Sequence, residues 1–409
     1  MPIDTGDTTW MLISTGLVMI MTPALGFFEA GLIRGKNSLS VIMQTFSGLA
    51  ILSTLWFVIG FTLVFSPSQG WGIIGGLEWV FYNNVPFNES LDYAPTVPGV
   101  TFATFQMMFA VITPLLITGA FAERVKWSAF VVFIIAWSFL IYYPLAHWIW
   151  GRGWLADLGV FDFAGGIVIH TSAGLGSLAA ALVLGRRKNF GPDIMVPHNI
   201  PLAVIGATLL WIGWFGFNAG SALASGSLAA NTLLVTHIAS CTSAVVWIGL
   251  SWKRSGKPST TAAINGAIAG LAGVTPASGF ISAQNSFLLG IVLGFASYYA
   301  ILLLKEHWKI DDALDVSSVH GVTGIVGALA IGIIASTLIN PAGPNGLLYG
   351  NPIQLAIQAL GIAVAAALGF GGTLLIMKVI DRTIGLKVKD EEEDIGLDVT
   401  QHAERAYVT

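Results

Sequence analysis

The sequence predicts an all-α polytopic membrane protein. Its eleven transmembrane helices form an inverted five-plus-five repeat with a C-terminal span appended, the N-terminus outside and the C-terminus cytoplasmic. Three observations carry this. Of 409 residues, 55% are hydrophobic and only 10% are charged, too few charges to cover a soluble surface of that size. Apolar runs of about 20 residues, the length that crosses hydrocarbon, recur eleven times along the chain. The basic residues between those runs gather on alternate connections, the pattern that marks the cytoplasmic side.

In order, the runs cover 10–32, 41–65, 101–121, 128–148, 163–185, 200–221, 228–251, 261–280, 286–304, 318–339 and 353–378. Connections holding Arg34 and Lys36, Arg124 and Lys126, Arg186 to Lys188, Lys253 to Lys257, and Lys305 with Lys309 alternate with connections nearly free of positive charge. Of the 18 basic residues only Arg152 falls on the other side. This predicts a membrane domain over 1–380, with repeats over 10–185 and 200–339 and a last span at 353–378. A cytoplasmic tail follows over 381–409. The 48 glycines recur at small-xxx-small spacing, as at Gly266, Gly270 and Gly273, and predict close helix seams.

Other classes are excluded on composition. The net charge of −4 reflects acids in loops and in the tail. No basic patch interleaved with aromatics points to nucleic acid. The start MPIDTGDTTW lacks the positive segment of a cleavable signal peptide. Cys241 stands alone, which excludes an intrachain disulfide and argues against a thiolate metal site. No Ser-His dyad or HExxH pattern suggests an enzyme, and no cofactor or metal is expected.

The repeat is legible in three matches that keep their order. Phe28-Glu29-Ala30-Gly31 pairs with Phe217-Asn218-Ala219-Gly220, Thr113-Pro114 with Thr275-Pro276, and His170 with His320. Both histidines show His-x3-Gly, and Gly174 and Gly327 lie in the small-residue runs that follow. Five spans per unit is an odd number, so the halves lie in opposite orientations about an axis in the membrane plane. An ionisable residue within a span is costly and reads first as functional. Symmetry therefore predicts that the two imidazoles meet across the repeat interface, if the loops preceding both helices are recessed. The alternative is two helix-packing histidines bonded to backbone carbonyls.

Further candidates carry a bland reading beside a functional one. Asp162 reads as a helix N-cap whose field also stabilises a nearby cation, and Asp315 as its counterpart before the tenth span. Trp148, Trp150 and Trp154 suit interfacial anchors, and one of them can offer a π-face to a cation. Phe105, Phe109, Trp214, Phe215 and Phe217 suit packing. His147, His198, His237 and His307 read as interfacial or loop residues. Glu29 is expected to satisfy backbone groups or a basic loop. The run DEEED in the tail suits a solvated, disordered segment.

The segments AFAERVKWSA, AHWIWGRGWLA, DFAGGIVIHTSAG, GWFGFNAGSA, NGAIAGLAGVTPA and DVSSVHGVTGIVG resemble the ammonium transporter family, the Amt branch of the Amt/Mep/Rh superfamily. The likeness runs from about residue 10 to the tail. It implies a multi-pass protein of the plasma or inner membrane, assembled as a homotrimer with one pore per subunit. It implies an ammonium recruitment site at Phe109, Trp150 and Ser221, and a gate of Phe109 over Phe217. His170 and His320 would line the pore and relay protons, with Asp162, Phe105 and Trp214 in support. Gly385, Gly396, Asp398 and Tyr407 match a cytoplasmic regulatory tail, and a PII-type signalling protein is the implied partner. Where the family pattern has His-Gly-Glu, this chain has His402-Ala403-Glu404, which puts that turn in question.

A desolvated cation gains about 2 kcal/mol from a π-face, far short of the tens of kcal/mol that a dry pore would cost it. Deprotonation removes that obstacle. The expected function is therefore ammonium recruitment, deprotonation and conduction of ammonia, with the proton moving separately. Methylammonium is a candidate alternative substrate. A passive ammonia channel and an ammonium sensor are the competing readings.

Overall fold

Four of the apolar helices begin where a side chain accepts one of their first N–H groups. The computed structural model describes residues 2–69, 72–188, 190–191 and 196–407. Eleven apolar helices run through it: α1 (Thr5–Leu32), α2 (Gly35–Phe65), α3 (Gly99–Phe121), α4 (Trp127–Asp157), α5 (Gly166–Leu184), α6 (Ile200–Gly220), α7 (Ser227–Ser255), α8 (Thr260–Val274), α9 (Ala283–His307), α10 (Ser317–Ile334) and α11 (Ile353–Thr383). Asp4, Asn199, Ser259 and Ser282 cap α1, α6, α8 and α9, each accepting a backbone N–H of the first turn. A two-strand ribbon, Ser68–Gln69 against Ile74–Gly75, lies in the connection between α2 and α3.

Among the described residues, ten of these helices are long and apolar enough to cross a membrane. The exception is α8. The predicted run 261–280 folds as a 15-residue helix, about 22 Å long at 1.5 Å per residue and shorter than a 30 Å hydrocarbon core. Pro276 stops it: a proline lacks the N–H that would continue the ladder, and the chain turns from Thr275 to Phe280. Its glycines still make the expected seams. A Cβ on Gly270 would lie 2.6 Å from the Ala239 carbonyl oxygen of α7, and one on Gly273 would lie 2.2 Å from Leu293 of α9.

The helices α5 and α10 cross backbone against backbone. A Cβ on Gly174 would sit 2.2 Å from the backbone N and Cα of Gly321, and one on Gly324 would sit 3.0 Å from the backbone N of Thr171. These two contacts exchange under a shift of 150 residues, as a two-fold relation between the helices requires, and the same shift carries His170 onto His320. Both helices also open with a widened π-type turn, over Gly166–Thr171 and Ser317–Val322. Such turns cluster at functional positions.

After α11 the chain does not fray. Two short helices, α12 (Asp390–Ile395) and α13 (Leu397–His402), lie on the face that carries the basic connections. Lys36 Nζ donates to the carbonyls of Glu393 and Asp394, the Leu397 N–H donates to Asn37, and the Ser40 N–H donates to Asp398. The acidic run is thus docked, contrary to the disordered reading, because basic side chains and free helix-end N–H groups meet it there. Beneath it lies a buried ion network. Glu123 accepts from Arg34, Asn37 and Arg187, and Asp311 accepts from the guanidinium and the backbone N–H of Arg187. Burial alone would raise both carboxyl pKa values. The arginines overturn that and hold them below the ordinary value.

Candidate pore and its two mouths

Asp162 organises the site. It is buried, and its two oxygens accept four consecutive backbone N–H groups, from Gly165, Gly166, Ile167 and Val168, at 2.7–2.9 Å. Those are the donors a helix start leaves free, so the carboxylate sets the first turn of α5 and aims His170 three residues beyond Ile167. Gly165 makes the approach possible at φ +118°, where a side chain would be strained. Burial pushes the Asp162 carboxyl up, against the pull of its N–H donors. Its backbone carbonyl accepts the Trp150 indole N–H at 2.8 Å, so one residue positions both the helix and the tryptophan.

The counterpart at the start of α10 is Asp312, which accepts the Ser317 N–H at 2.7 Å. The expectation for Asp315 is corrected. Asp315 has a left-handed backbone and pairs with Lys305 at 2.8 Å. The 150-residue spacing from Asp162 marks Asp312 in the sequence.

On the face opposite the tail, a vestibule of about 490 Å3 is lined by Phe109, Trp150, Asp162, Ser221 and Gln106. Phe109 meets Trp150 edge-on at 6.2 Å and Phe105 at 4.9 Å. Below it, the Phe109 and Phe217 rings stand 4.4 Å apart at 35° and close the vestibule floor. Ser221 donates its hydroxyl to the Phe217 carbonyl at 2.8 Å, leaving its oxygen lone pairs toward the vestibule.

Beneath the phenylalanines is a cavity of about 20 Å3, whose lining includes Phe217, Trp214, His170 and His320. The imidazoles meet as symmetry predicts, Nδ1 to Nδ1 at 3.1 Å. Trp214 stacks on His170 at 5.6 Å and is fixed by donating to Thr275. One nitrogen in an Nδ1–Nδ1 bond must donate and the other accept, so two imidazolium rings cannot share this contact. The Nε2 of His170 is buried and has no partner, which leaves it for whatever occupies the cavity.

The other histidines separate. His147 is fully buried, with Nδ1 on the Val64 carbonyl at 2.7 Å and Nε2 on Ser68 at 2.9 Å. It is a satisfied core residue rather than an interfacial one, because the α2–α3 ribbon folds over it. His198 holds the Ile33 carbonyl and reaches Tyr407 of the tail, while His237 and His307 are exposed. Of the two expectations for Glu29 the backbone one holds: it reaches no basic loop and is fully buried against the Thr118 hydroxyl and the Gly119 backbone. The tail residues Gly385 and Gly396 both take positive φ.

Residues 9–407 match the model of the Ammonium Transporter Family. The chain is 55% identical over 408 residues to an ammonium transporter of Dictyostelium discoideum, covering 99% of this chain and 88% of that one. Its structure is similar to that of Saccharomyces cerevisiae Mep2, with a TM-score of 0.89 and 32% identity over 95% of this chain and 88% of that one. It is also similar to a sensor Amt protein, with a TM-score of 0.88 and 29% identity over 97% and 98%.

Proposed function

The chain belongs to the ammonium transporter family and is a multi-pass membrane transporter rather than an enzyme. On that premise we propose that ammonium is recruited in the vestibule and deprotonated, that ammonia crosses the apolar pore, and that the proton passes separately through the histidine pair. The basic, tail-bearing face is then cytoplasmic and the vestibule faces outward, as the distribution of lysine and arginine supports. Trp150 and Phe109 offer π-faces to the cation and Ser221 offers an acceptor oxygen. Phe105, Trp214 and Asp162 hold these groups in place. Phe109 and Phe217 separate the hydrated site from the dry one.

The observation that carries this reading is the Nδ1–Nδ1 contact with a free His170 Nε2 in an apolar cavity. A proton arriving at His170 Nε2 lets the Nδ1–H of that ring pass to His320 Nδ1. The Nε2–H of His320 can then leave on the far side. Each passage forms and breaks one N–H bond per ring and leaves both rings in the other tautomer, which a turn of the imidazoles must reset before the next proton. Ammonia, which is neutral, meets no Born cost along the same route. The test is His170→Ala in proteoliposomes: the transient current on an ammonium jump should vanish while ammonia equilibration persists. Loss of both, or of neither, would overturn the split route.

A homotrimer with one pore per subunit, and control of the docked tail through Gly385, Gly396, Asp398 and Tyr407 by a PII-type protein, complete the proposal. The likeness to a sensor Amt protein favours a second reading, in which occupancy of the pore is reported through that tail.

A further inference from the structure

Glu29 is a carboxyl group that the recruitment and relay steps above do not use. It lies within α1, 1% exposed, and no Lys, Arg or His is within ion-pair distance of it among the described residues. Both of its oxygens are 3.0 Å from the Thr118 hydroxyl. A Cβ on Gly119 would lie 3.0 Å from Oε1, so the glycine keeps the chain close against the carboxyl. An isolated buried carboxylate is expensive, and a position that keeps one needs a reason beyond packing.

That reason is visible in what the carboxyl faces. Glu29 lines a second cavity of about 20 Å3 together with Phe28, Asn265, Val319 and His320. His320 also lines the upper cavity, and with Leu25, Phe28, Leu116 and Ile268 it stands between the two as their one shared titratable group. Space of that size holds one water-sized molecule, and ammonia is of that size. Thr118 also donates to the Leu115 carbonyl. A hydroxyl has one hydrogen and two lone pairs, so when that hydrogen points to Leu115, the contact with Glu29 needs the proton on the carboxyl. When it turns to Glu29, the carboxylate is the acceptor. Either protonation state of Glu29 finds a partner in Thr118 without movement of the backbone.

We propose that Glu29 is the exit proton station of the pore and, with Thr118 and Asn265, forms a cation site at the tail-side mouth where ammonium is reassembled. The inference rests on the split route proposed above. His320 gives its Nε2 proton to the Glu29 carboxylate. Ammonia in the lower cavity then takes the carboxyl proton and leaves as ammonium, and Glu29 returns to carboxylate. One proton is lost at the vestibule and one is regained at the tail side, so the count balances and no other reactant is needed. The groups that could exchange protons with Glu29 are then His320 across the cavity and Thr118 beside it, with Asn265 as a neutral ligand.

The test compares wild type, Glu29→Gln, Glu29→Asp and His170→Ala as full-length protein in liposomes, with the lumenal pH varied at fixed outer pH. Thermal midpoints are read in parallel. The expected result for Glu29→Gln is an unchanged midpoint, a transient-current rate at least about tenfold lower, and loss of its dependence on pH at the tail side. Glu29→Asp should restore part of both. An unaltered current and pH profile in Glu29→Gln, with His170→Ala electrically silent, would overturn the exit station and leave the split route standing. A lowered midpoint with an unchanged pH profile would mark Glu29 as structural and also overturn the proposal. Current that survives in His170→Ala would overturn the route itself.

Discussion

The two mouths of the pore are built on one frame and carry different chemistry. At the vestibule mouth, Phe217 stacks beneath Phe109 under a cavity of about 490 Å3 lined by indole, phenyl and hydroxyl groups, whose one carboxyl, Asp162, is taken up by four backbone N–H groups. At the tail mouth its repeat counterpart Phe28 lines a cavity of about 20 Å3 that ends on a carboxyl. Phe28-Glu29 and Phe217-Asn218 are matched pairs, yet Glu29 can hold or release a proton while Asn218 donates its amide to Thr236 and cannot titrate. The difference teaches that the repeat duplicates position and leaves each side chain free for its own task. On the proposed route the vestibule must take a cation away from water, which needs room and π-faces. The tail mouth receives a neutral molecule and needs a proton donor.

The largest effect should come from the group the mouths share. His170→Ala is expected to remove the current entirely, and Glu29→Gln to lower its rate about tenfold, both read as transient currents in liposomes. If the mouths are chemically distinct, only the second variant should act asymmetrically with pH. Next comes the frame. Gly174→Val places a side chain where the Gly321 backbone already lies, and overpacking of this kind costs about 1–3 kcal/mol. A lower thermal midpoint in detergent is expected, whereas Gly371→Ala, which meets nothing within 4 Å, should leave it unchanged. Equal midpoints would show that the crossing of α5 and α10 tolerates separation.

Trp150→Leu should act at the vestibule alone. Losing a cation–π contact of about 2 kcal/mol raises the half-saturating ammonium concentration about thirty-fold. The pH dependence at the tail side should not move. A change at both mouths would mean that they are coupled more tightly than the shared histidines require.

How much of this was legible in the sequence follows from how local each signal is. Hydrophobic length gave ten of the eleven apolar helices, because burial in lipid is written in composition. It overestimated α8, where one proline outweighs the apolar residues beyond it. The histidine meeting was legible through the repeat, since symmetry supplies the partner that spacing alone does not. Asp312 could have been found by the same shift, but the neighbouring Asp315 lies nearer the helix start and drew the assignment. The role of Glu29 was not legible: its environment is made by Thr118 and Asn265, 89 and 236 residues away, and no periodicity links them. His147 failed for the same reason, its partners being Val64 at the end of α2 and Ser68 in a ribbon that composition does not announce.

The smallest effect concerns the tail, which docks at one mouth only. Ala403 closes α13 at φ +55°, ψ +29°, the left-handed geometry that the family's glycine would favour. The turn is therefore kept despite the substitution, with the Ala403 and Glu404 N–H groups returning to the carbonyls of Val399 and Asp398 at 3.1 Å. Holding a side chain there costs about 1 kcal/mol. Ala403→Gly should recover it, slowing amide exchange over 399–404 about fivefold. Transport at the vestibule mouth should be unaffected. Faster exchange would mean that the lost alanine contact outweighs the relieved strain. The tail would then be held by the Lys36 hydrogen bonds and the Lys188–Asp394 ion pair rather than by its own turn.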